Sequence, residues 1–249
     1  MTTTVIISLA FAILLMATLY SSVGHGGGSG YLASLALFGV GAATMKPTAL
    51  TLNILVATIA TVQFYRAGFF SWRVLLPFAA GSVPFAFLGG VLTLPSTVYQ
   101  KVVGAVLLFA AYRLWMSFAK LQAQAKTEIR PVPIPLAVLL GAAIGFLSGL
   151  TGVGGGIFLS PLVLLLGWAE TRQMSGVAAA FILVNSIAGL AGHLASLRDV
   201  PSSIYVWGAA AVVGGLIGSE LGRRRLATLT LRRVLSVVLV IAGVKLILI

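Results

Sequence analysis

Gly24-His25-Gly26-Gly27-Gly28 and Gly152-Val153-Gly154-Gly155-Gly156 are two copies of one glycine-rich pattern, offset by 128 residues. We call residues 24–28 the first glycine break and residues 152–156 the second glycine break. Glycine in a helix interior costs about 1 kcal/mol relative to alanine, so neither stretch favours a helix. Each break follows a long apolar run and precedes a short apolar segment. The sequence therefore predicts two interrupted helices at matching places of an internal duplication.

The composition around the breaks is typical of a membrane protein. Of the 249 residues, 59% are hydrophobic and only 8% are charged, and the mean hydropathy is +1.11. A soluble domain carries about 25% charged residues, which is what covers its surface in water. The composition therefore argues against a soluble enzyme, a nucleic-acid-binding module and a disordered chain. The net charge of +12 comes from basic residues between apolar runs, where they act as topology signals.

The side chains that bind metals or carry out catalysis are scarce. The chain has no cysteine, and His25 and His193 are its two histidines. We expect none of the four acidic residues at the centre of a membrane span, which argues against a cation pump. No nucleophile motif, metal-ligand pair or nucleotide-binding loop is present, so we predict no catalytic residue, no metal site and no cofactor. The acidic residues are Glu128, Glu170, Asp199 and Glu220.

Apolar segments long enough for membrane helices alternate with short polar loops. Residues 1–118 are predicted to form the first membrane repeat and residues 136–249 the second. The polar stretch 119–135 links them within one transmembrane domain. The predicted helical segments are 5–21, 30–43, 46–65, 72–94, 97–118, 136–150, 157–168, 174–195, 203–221 and 229–249, with the third opened by Lys46-Pro47.

The distribution of basic residues selects one topology. With an odd number of crossings per half, or three crossings plus a re-entrant pair, a cytoplasmic linker places twelve of the sixteen basic residues inside. Four crossings per half would instead place the clusters 223–225 and 232–233 outside. We therefore predict an all-α polytopic membrane protein with two inverted-topology repeats, both containing glycine-rich helix breaks. Both termini would lie outside, and each break is either a re-entrant hairpin or a pair of thin crossings.

The glycine breaks are the strongest candidates for a binding site. Irregular backbone survives at membrane depth where it lines a cavity or packs against protein. Short helices beginning after each break would direct free N–H groups and positive dipole ends at one midplane point, which suits an anion. The alternative is close helix packing by small residues. The predicted binding residues are Ser22, Gly24, His25, Gly26, Gly27, Gly28, Ser29, Asn53, Thr151, Gly152, Gly154, Gly155, Gly156 and Asn185.

Three predicted residues carry polar side chains of particular interest. Asn53 and Asn185 lie on the long helices and could each donate an amide hydrogen to an anion or bond to another helix. His25 lies inside the first glycine break and could couple binding to protonation or bond to a freed carbonyl. The other polar residues on the two long helices are Thr58, Thr61, Gln63, Ser186 and His193. Of these, we expect Gln63 and His193 to have structural roles.

These motifs resemble those of the sulfite exporter TauE/SafE-type membrane permeases. The second glycine break followed by Ser160-Pro161 is similar to the family signature, and the first half, including Lys46-Pro47 and Asn53, is similar to one branch of the family. The first half departs from the pattern, since Ala33 stands where Pro161 would align. The resemblance covers nearly the whole chain and implies a bacterial inner-membrane carrier of sulfur-containing anions such as sulfite or organosulfonates.

We therefore predict a carrier that translocates a sulfur-containing oxoanion by alternating access between two halves. Its partners would be the anion and the lipid bilayer, with no nucleic acid, and homo-oligomerisation is left open. The alternatives are a carrier of another small anion or of a metal ion, a membrane-embedded enzyme, and a membrane protein that stabilises a partner without transport. The missing carboxylates and cysteines disfavour the metal ion. An enzyme would need a convergent catalytic set, which the sequence does not offer.

Overall fold

The computed structural model describes residues 1–121, 130–194, 200–224 and 229–248, and the regular structure in these ranges is entirely helical. The first half contributes α1 to α5 and the second half α6 to α10. The bounds are α1 Thr3–Ser21, α2 Gly28–Leu37, α3 Ala42–Arg66, α4 Trp72–Val91, α5 Ser96–Leu121, α6 Ile134–Thr151, α7 Gly156–Leu165, α8 Thr171–Gly192, α9 Ile204–Arg224 and α10 Leu229–Leu248.

Each half has the same order of elements, in which a long helix, a break and a ten-residue helix precede three long helices. The helices α2 and α7 start and end at positions that correspond under the 128-residue offset. Two predicted boundaries are wrong by four or more residues. The segment predicted at 30–43 ends at Leu37, and Lys46-Pro47 does not open α3. The helix begins four residues earlier at Ala42, and Pro47 lies inside it. Asn53 therefore lies about half-way along α3.

The outer surface of the helix bundle is apolar. Within the described ranges, six helices are long and apolar enough to cross a membrane: α1, α3, α4, α6, α8 and α9. Large hydrophobic side chains point outward, including Phe11 at 63% exposure and Leu139 at 67%. Lipid is the solvent in which such a surface is stable. The protein is thus a multi-pass α-helical membrane protein.

The two halves exchange their first helices. α1 packs on α9 of the second half, and α6 packs on α4 of the first half. Glycines make both contacts close: a Cβ on Gly218 would collide with the Thr18 carbonyl oxygen, and one on Gly145 with the Ser82 carbonyl oxygen. Small residues permit this backbone approach between membrane helices. Each half therefore holds its partner's first helix, which makes the two repeats one unit.

Equivalent helices of the two halves pack against each other in opposite directions. Gly176 near the start of α8 lies beside Phe64 near the end of α3, and Gly189 near the end of α8 lies beside Leu50. The same reversal holds for α5 and α10, where the Ser236 hydroxyl donates to the Ala111 carbonyl oxygen. This antiparallel pairing supports the predicted inverted repeats, whose orientation in the membrane stays a prediction. Part of the predicted linker, 119–135, lies outside the described residues. The charged residues that also lie outside them include Lys126, Glu128, Arg198, Asp199 and Arg225.

Candidate binding site at the glycine breaks

The two glycine breaks meet at the centre of the bundle. A Cβ on Gly28 would lie 2.5 Å from Asn53 Nδ2 and would collide with the Val153 carbonyl oxygen. Asn53 Nδ2 donates to the Gly152 carbonyl oxygen at 3.4 Å. Asn53 is fully buried and lies half-way along α3. Residues from both breaks and from the middle of a long helix therefore share one buried region.

Left-handed glycines make the sharp entry into the short helices. Gly27 precedes α2 with φ of 102°, and Gly155 precedes α7 with φ of 84°. An L-residue with a side chain rarely adopts this conformation, whereas glycine does so without steric cost. Neither position provides a side-chain cap. The first N–H groups of α2 and α7 thus have no acceptor in their own helix or from a capping side chain, and they lie at the point where the breaks meet.

Ile182 of α8 and Asn53 of α3 form the wall between the breaks. A Cβ on Gly26 would lie 2.9 Å from Ile182 Cγ2 and 3.0 Å from Asn53 Oδ1. A Cβ on Gly154 would lie 2.8 Å from Ile182 Cγ2 and 2.9 Å from Asn53 Nδ2. Neither glycine could gain a side chain without displacing its neighbours. The absence of side chains at Gly26 and Gly154 is therefore what lets α3 and α8 approach both breaks.

Several buried polar atoms at this region have no hydrogen-bond partner among the described residues. They are the Asn53 Oδ1 atom and the hydroxyls of Ser148 and Ser186. The Ser186 Oγ would be 3.4 Å from a Cβ on Gly154, and the Ser148 Cβ is 3.4 Å from one on Gly155. Buried polar groups are normally satisfied, since an unmade hydrogen bond costs about 1–3 kcal/mol. Two hydroxyl donors beside the second glycine break are thus available to a ligand.

His25 bridges the two halves. Its Nδ1 is 3.1 Å from the Val23 carbonyl oxygen, and its Nε2 is 3.3 Å from the Ser160 hydroxyl of α7. A neutral ring with the proton on Nδ1 satisfies both contacts, because that nitrogen donates and Nε2 accepts. The contact with a freed carbonyl matches the structural role considered from the sequence. A role of His25 in proton coupling stays a prediction.

Some predicted residues lie at the periphery of the meeting point. The hydroxyls of Ser22 and Thr151 donate to carbonyl oxygens of their own helices, Leu19 and Leu147, and the Ser29 hydroxyl donates to Tyr20. Asn185 donates its amide to Phe181, leaving only its Oδ1 unpartnered. Gly24 packs on the backbone of Ser175. The residues that the structure brings together are His25, Gly26, Gly27, Gly28, Asn53, Gly152, Gly154, Gly155 and Gly156.

Ser148 and Ser186 lie at the site but were not among the predicted binding residues. A signal existed for Ser148, because it precedes Gly152 by four residues and therefore lies one helical turn before the break. Ser186 follows Asn185 directly, and the predicted binding residues include Asn185 but not Ser186. The helical rotation of about 100° between neighbours turns only one of them toward the break. Which of the two it is depends on how α8 packs, and the sequence pattern alone does not specify this.

Nearly the whole chain, including both glycine breaks, matches the model of a known protein family. Residues 9–246 match the family model described as sulfite exporter TauE/SafE. The chain belongs to this family. TauE/SafE proteins are membrane transporters, so the protein is a transporter and not an enzyme. The matched range contains both halves and both glycine breaks.

Curated relatives of this TauE/SafE protein carry names of the same kind. A probable membrane transporter protein, y4hK of Sinorhizobium fredii, is 41% identical over 96% of this chain and 97% of its own length. The probable membrane transporter protein YjnA of Bacillus subtilis is 25% identical over 94% of this chain and 96% of its own. No solved structure gives a significant match. The relatives share the full length of the chain, and their names specify no substrate.

Proposed function

We propose that this TauE/SafE transporter carries a small sulfur-containing oxoanion, of the sulfite or organosulfonate class, across the bacterial inner membrane. The anion would bind where the glycine breaks meet. Backbone N–H groups at the starts of α2 and α7 would hold it together with the hydroxyls of Ser148 and Ser186. The sulfur substrate class follows from the family name, and the binding mode from the geometry of the breaks.

The convergence of two helix starts without side-chain caps on one buried region supports this proposal most strongly. Helix N-termini favour negative charge because their N–H groups and dipoles point at the ligand. In repeat-built transporters, discontinuous helices present such ends at the bilayer midplane. The unpartnered Ser148 and Ser186 hydroxyls add neutral donors without a fixed positive charge. A site of this kind can bind an anion and still release it.

The acidic residues lie away from the breaks wherever they are described. Glu170 precedes α8, and Glu220 lies in the last turns of α9, exposed and paired with Arg223 at 2.7 Å. The described residues contain no group of three His, Cys, Asp or Glu side chains that could hold a metal ion. A cation site in lipid normally relies on carboxylates. The donor groups at the breaks therefore favour an anion as substrate.

The antiparallel pairing of α3 with α8 supports alternating access. If the halves are inverted in the membrane, an exchange of their conformations opens the central site to the opposite side. The linker would then be cytoplasmic and both termini would lie outside. In this arrangement the two glycine breaks move relative to each other. Their contact at Gly28 and Val153 would be made and broken once per transport cycle.

Flux measurements in proteoliposomes test the proposal. Purified protein would be reconstituted with internal sulfite, sulfate, thiosulfate or methanesulfonate, with and without a pH gradient, beside empty liposomes. We expect saturable movement of sulfur oxoanions and none of a divalent cation. Absence of movement for every anion, with protein whose folded state is verified by thermal unfolding, would overturn the proposal. Dependence of the flux on the pH gradient would support proton coupling through His25 or the anion.

A further inference from the structure

A cavity of about 130 Å³ opens at one end of the protein, between the start of α3 and the loop that joins α4 to α5. It is apart from the meeting point of the breaks and none of its residues was in the predicted site. Its polar lining consists of Lys46, Thr93, Ser96, Tyr99 and His193. No acidic residue lines it. The cavity is therefore a polar chamber with a cationic wall in a mostly apolar protein.

Lys46 is built into this wall. Its exposure is only 4%, although a lysine at the predicted start of a membrane helix is expected at the membrane surface. Its Nζ donates to the carbonyl oxygens of Gly90 at 2.9 Å and of Gly89 and Leu92 at 3.3 Å. His193 Nδ1 also lies 3.1 Å from the Gly90 carbonyl oxygen. Carbonyl dipoles at the end of α4 thus solvate the ammonium and hold it at the cavity without a carboxylate.

Two residues in the wall of the cavity, Lys46 and Tyr99, contact the second glycine break and the residue before it. A Cβ on Gly152 would lie 3.3 Å from the Lys46 carbonyl oxygen and 3.5 Å from Lys46 Cγ. The Tyr99 hydroxyl donates to the Thr151 carbonyl oxygen at 3.0 Å. The wall of the cavity and the second glycine break are therefore in direct contact. A ligand in the cavity lies one residue layer from the central site.

The other half has no cation at the position aligned with Lys46. Under the 128-residue offset, Met174 takes the place of Lys46 and is 2% exposed, and Tyr65 takes the place of His193. The repeat therefore keeps the buried position but changes its chemistry, and the buried ammonium is a feature of the first half.

We propose that this cavity is a vestibule that binds a small oxoanion before it enters, or after it leaves, the central site. Lys46 provides the attraction, and the hydroxyls of Ser96 and Thr93 can donate hydrogen bonds. The proposal rests on the proposed function, since it assigns the same anion a second binding position.

The cysteine-free sequence allows a direct test. A single Ser96→Cys variant is exposed to reagents, and its reaction rates with an anionic and a cationic methanethiosulfonate report the local potential. We expect the anionic reagent to be favoured, and the preference to fall by at least about five-fold in Ser96→Cys with Lys46→Gln. Methanesulfonate should slow the reaction when Lys46 is present. This protection requires no second substitution, so it holds as a test even if Lys46→Gln does not fold.

Two controls separate the vestibule from a general effect of charge. Lys245→Gln removes a similar ammonium, which donates to the Ala36 and Leu37 carbonyl oxygens at 3.0 and 3.1 Å but lines no part of the cavity. It should leave the reagent preference at Ser96→Cys unchanged. Gly41→Cys lies at the same end with open space around its Cβ and should show no protection by methanesulfonate.

The outcomes for the two proposals are separable. Equal reagent preference with and without Lys46, or absence of methanesulfonate protection at Ser96→Cys, would overturn the vestibule even if anion flux is normal. Labelling does not depend on transport, so a failure of flux alone would overturn only the proposed function. Flux together with protection that depends on Lys46 supports both.

Discussion

Asn53 Nδ2 of α3 donates to the carbonyl oxygen of Gly152, so an amide of the first half completes the glycine break of the second half. The same Nδ2 would lie 2.5 Å from a Cβ on Gly28, in the first break. One side chain therefore contacts both breaks. No residue of α8 corresponds to it in type, because Phe181 stands at the matching position. The Asn53 amide therefore connects the two breaks.

Replacement of this amide should uncouple the breaks. Asn53→Ala leaves the Gly152 carbonyl oxygen without its donor, at a cost of about 1–3 kcal/mol, and opens space between the breaks. We expect at least about a ten-fold loss of anion flux with normal membrane insertion. Thr58→Ala on the same helix is the matched control, because Thr58 is exposed and bonds only to its own helix at Ile54. Equal flux in the two variants would contradict a role of Asn53 at the site.

The unpartnered serines should affect affinity without supporting the fold. Ser186→Ala and Ser148→Ala remove hydroxyls that have no described partner, so the thermal unfolding temperature should stay the same or rise. A hydrogen bond to a charged ligand contributes about 1.5–3 kcal/mol, so the apparent affinity for the anion should fall roughly ten- to hundred-fold. Flux as a function of anion concentration measures this.

Ser236→Ala is a comparison variant in which stability should change and anion affinity should not. Its hydroxyl is buried and donates to Ala111 between α5 and α10, away from the breaks. This variant should lower the unfolding temperature and leave the anion affinity unchanged. If Ser186→Ala behaved like Ser236→Ala, the serine hydroxyls at the break would be structural.

The inverted topology can be tested at two equivalent positions. Phe38 and Leu166 are the C-cap residues that follow α2 and α7. They correspond under the 128-residue offset, and their exposures are 37% and 38%. With inverted repeats, a cysteine at Phe38 should react with an impermeant thiol reagent from outside intact cells, and a cysteine at Leu166 only after the membrane is opened. Reaction of both from the same side would exclude inversion. The absence of native cysteines removes background labelling.

The sequence pattern predicted the helical class, the duplication and the ends of most helices because lipid imposes long apolar segments and glycine interrupts them. It also selected the glycines that the structure brings together at the two breaks, and their role in binding stays a prediction. It misplaced the start of α3, because a lysine in an apolar sequence is expected at the membrane surface, where a helix begins. The burial of Lys46 depends on the carbonyl oxygens at the end of α4. A contact of this kind between two helices produces no periodic pattern in the sequence.

The close approach at Gly28 gives the sharpest test of the break geometry. Gly28 begins α2, and a methyl group there would collide with the Val153 carbonyl oxygen and press on Asn53 Nδ2, so the two breaks would have to separate. We expect Gly28→Ala to insert and remain helical but to lose most anion flux, because the helix starts would no longer converge on one ligand. Gly41→Ala is its control: Gly41 has φ of −63° and open space around the Cβ, so its flux should match the parent protein. Circular dichroism and thermal unfolding of both variants would show whether the fold is kept. Parent-like flux in Gly28→Ala would mean that contact between the breaks is not part of the transport site.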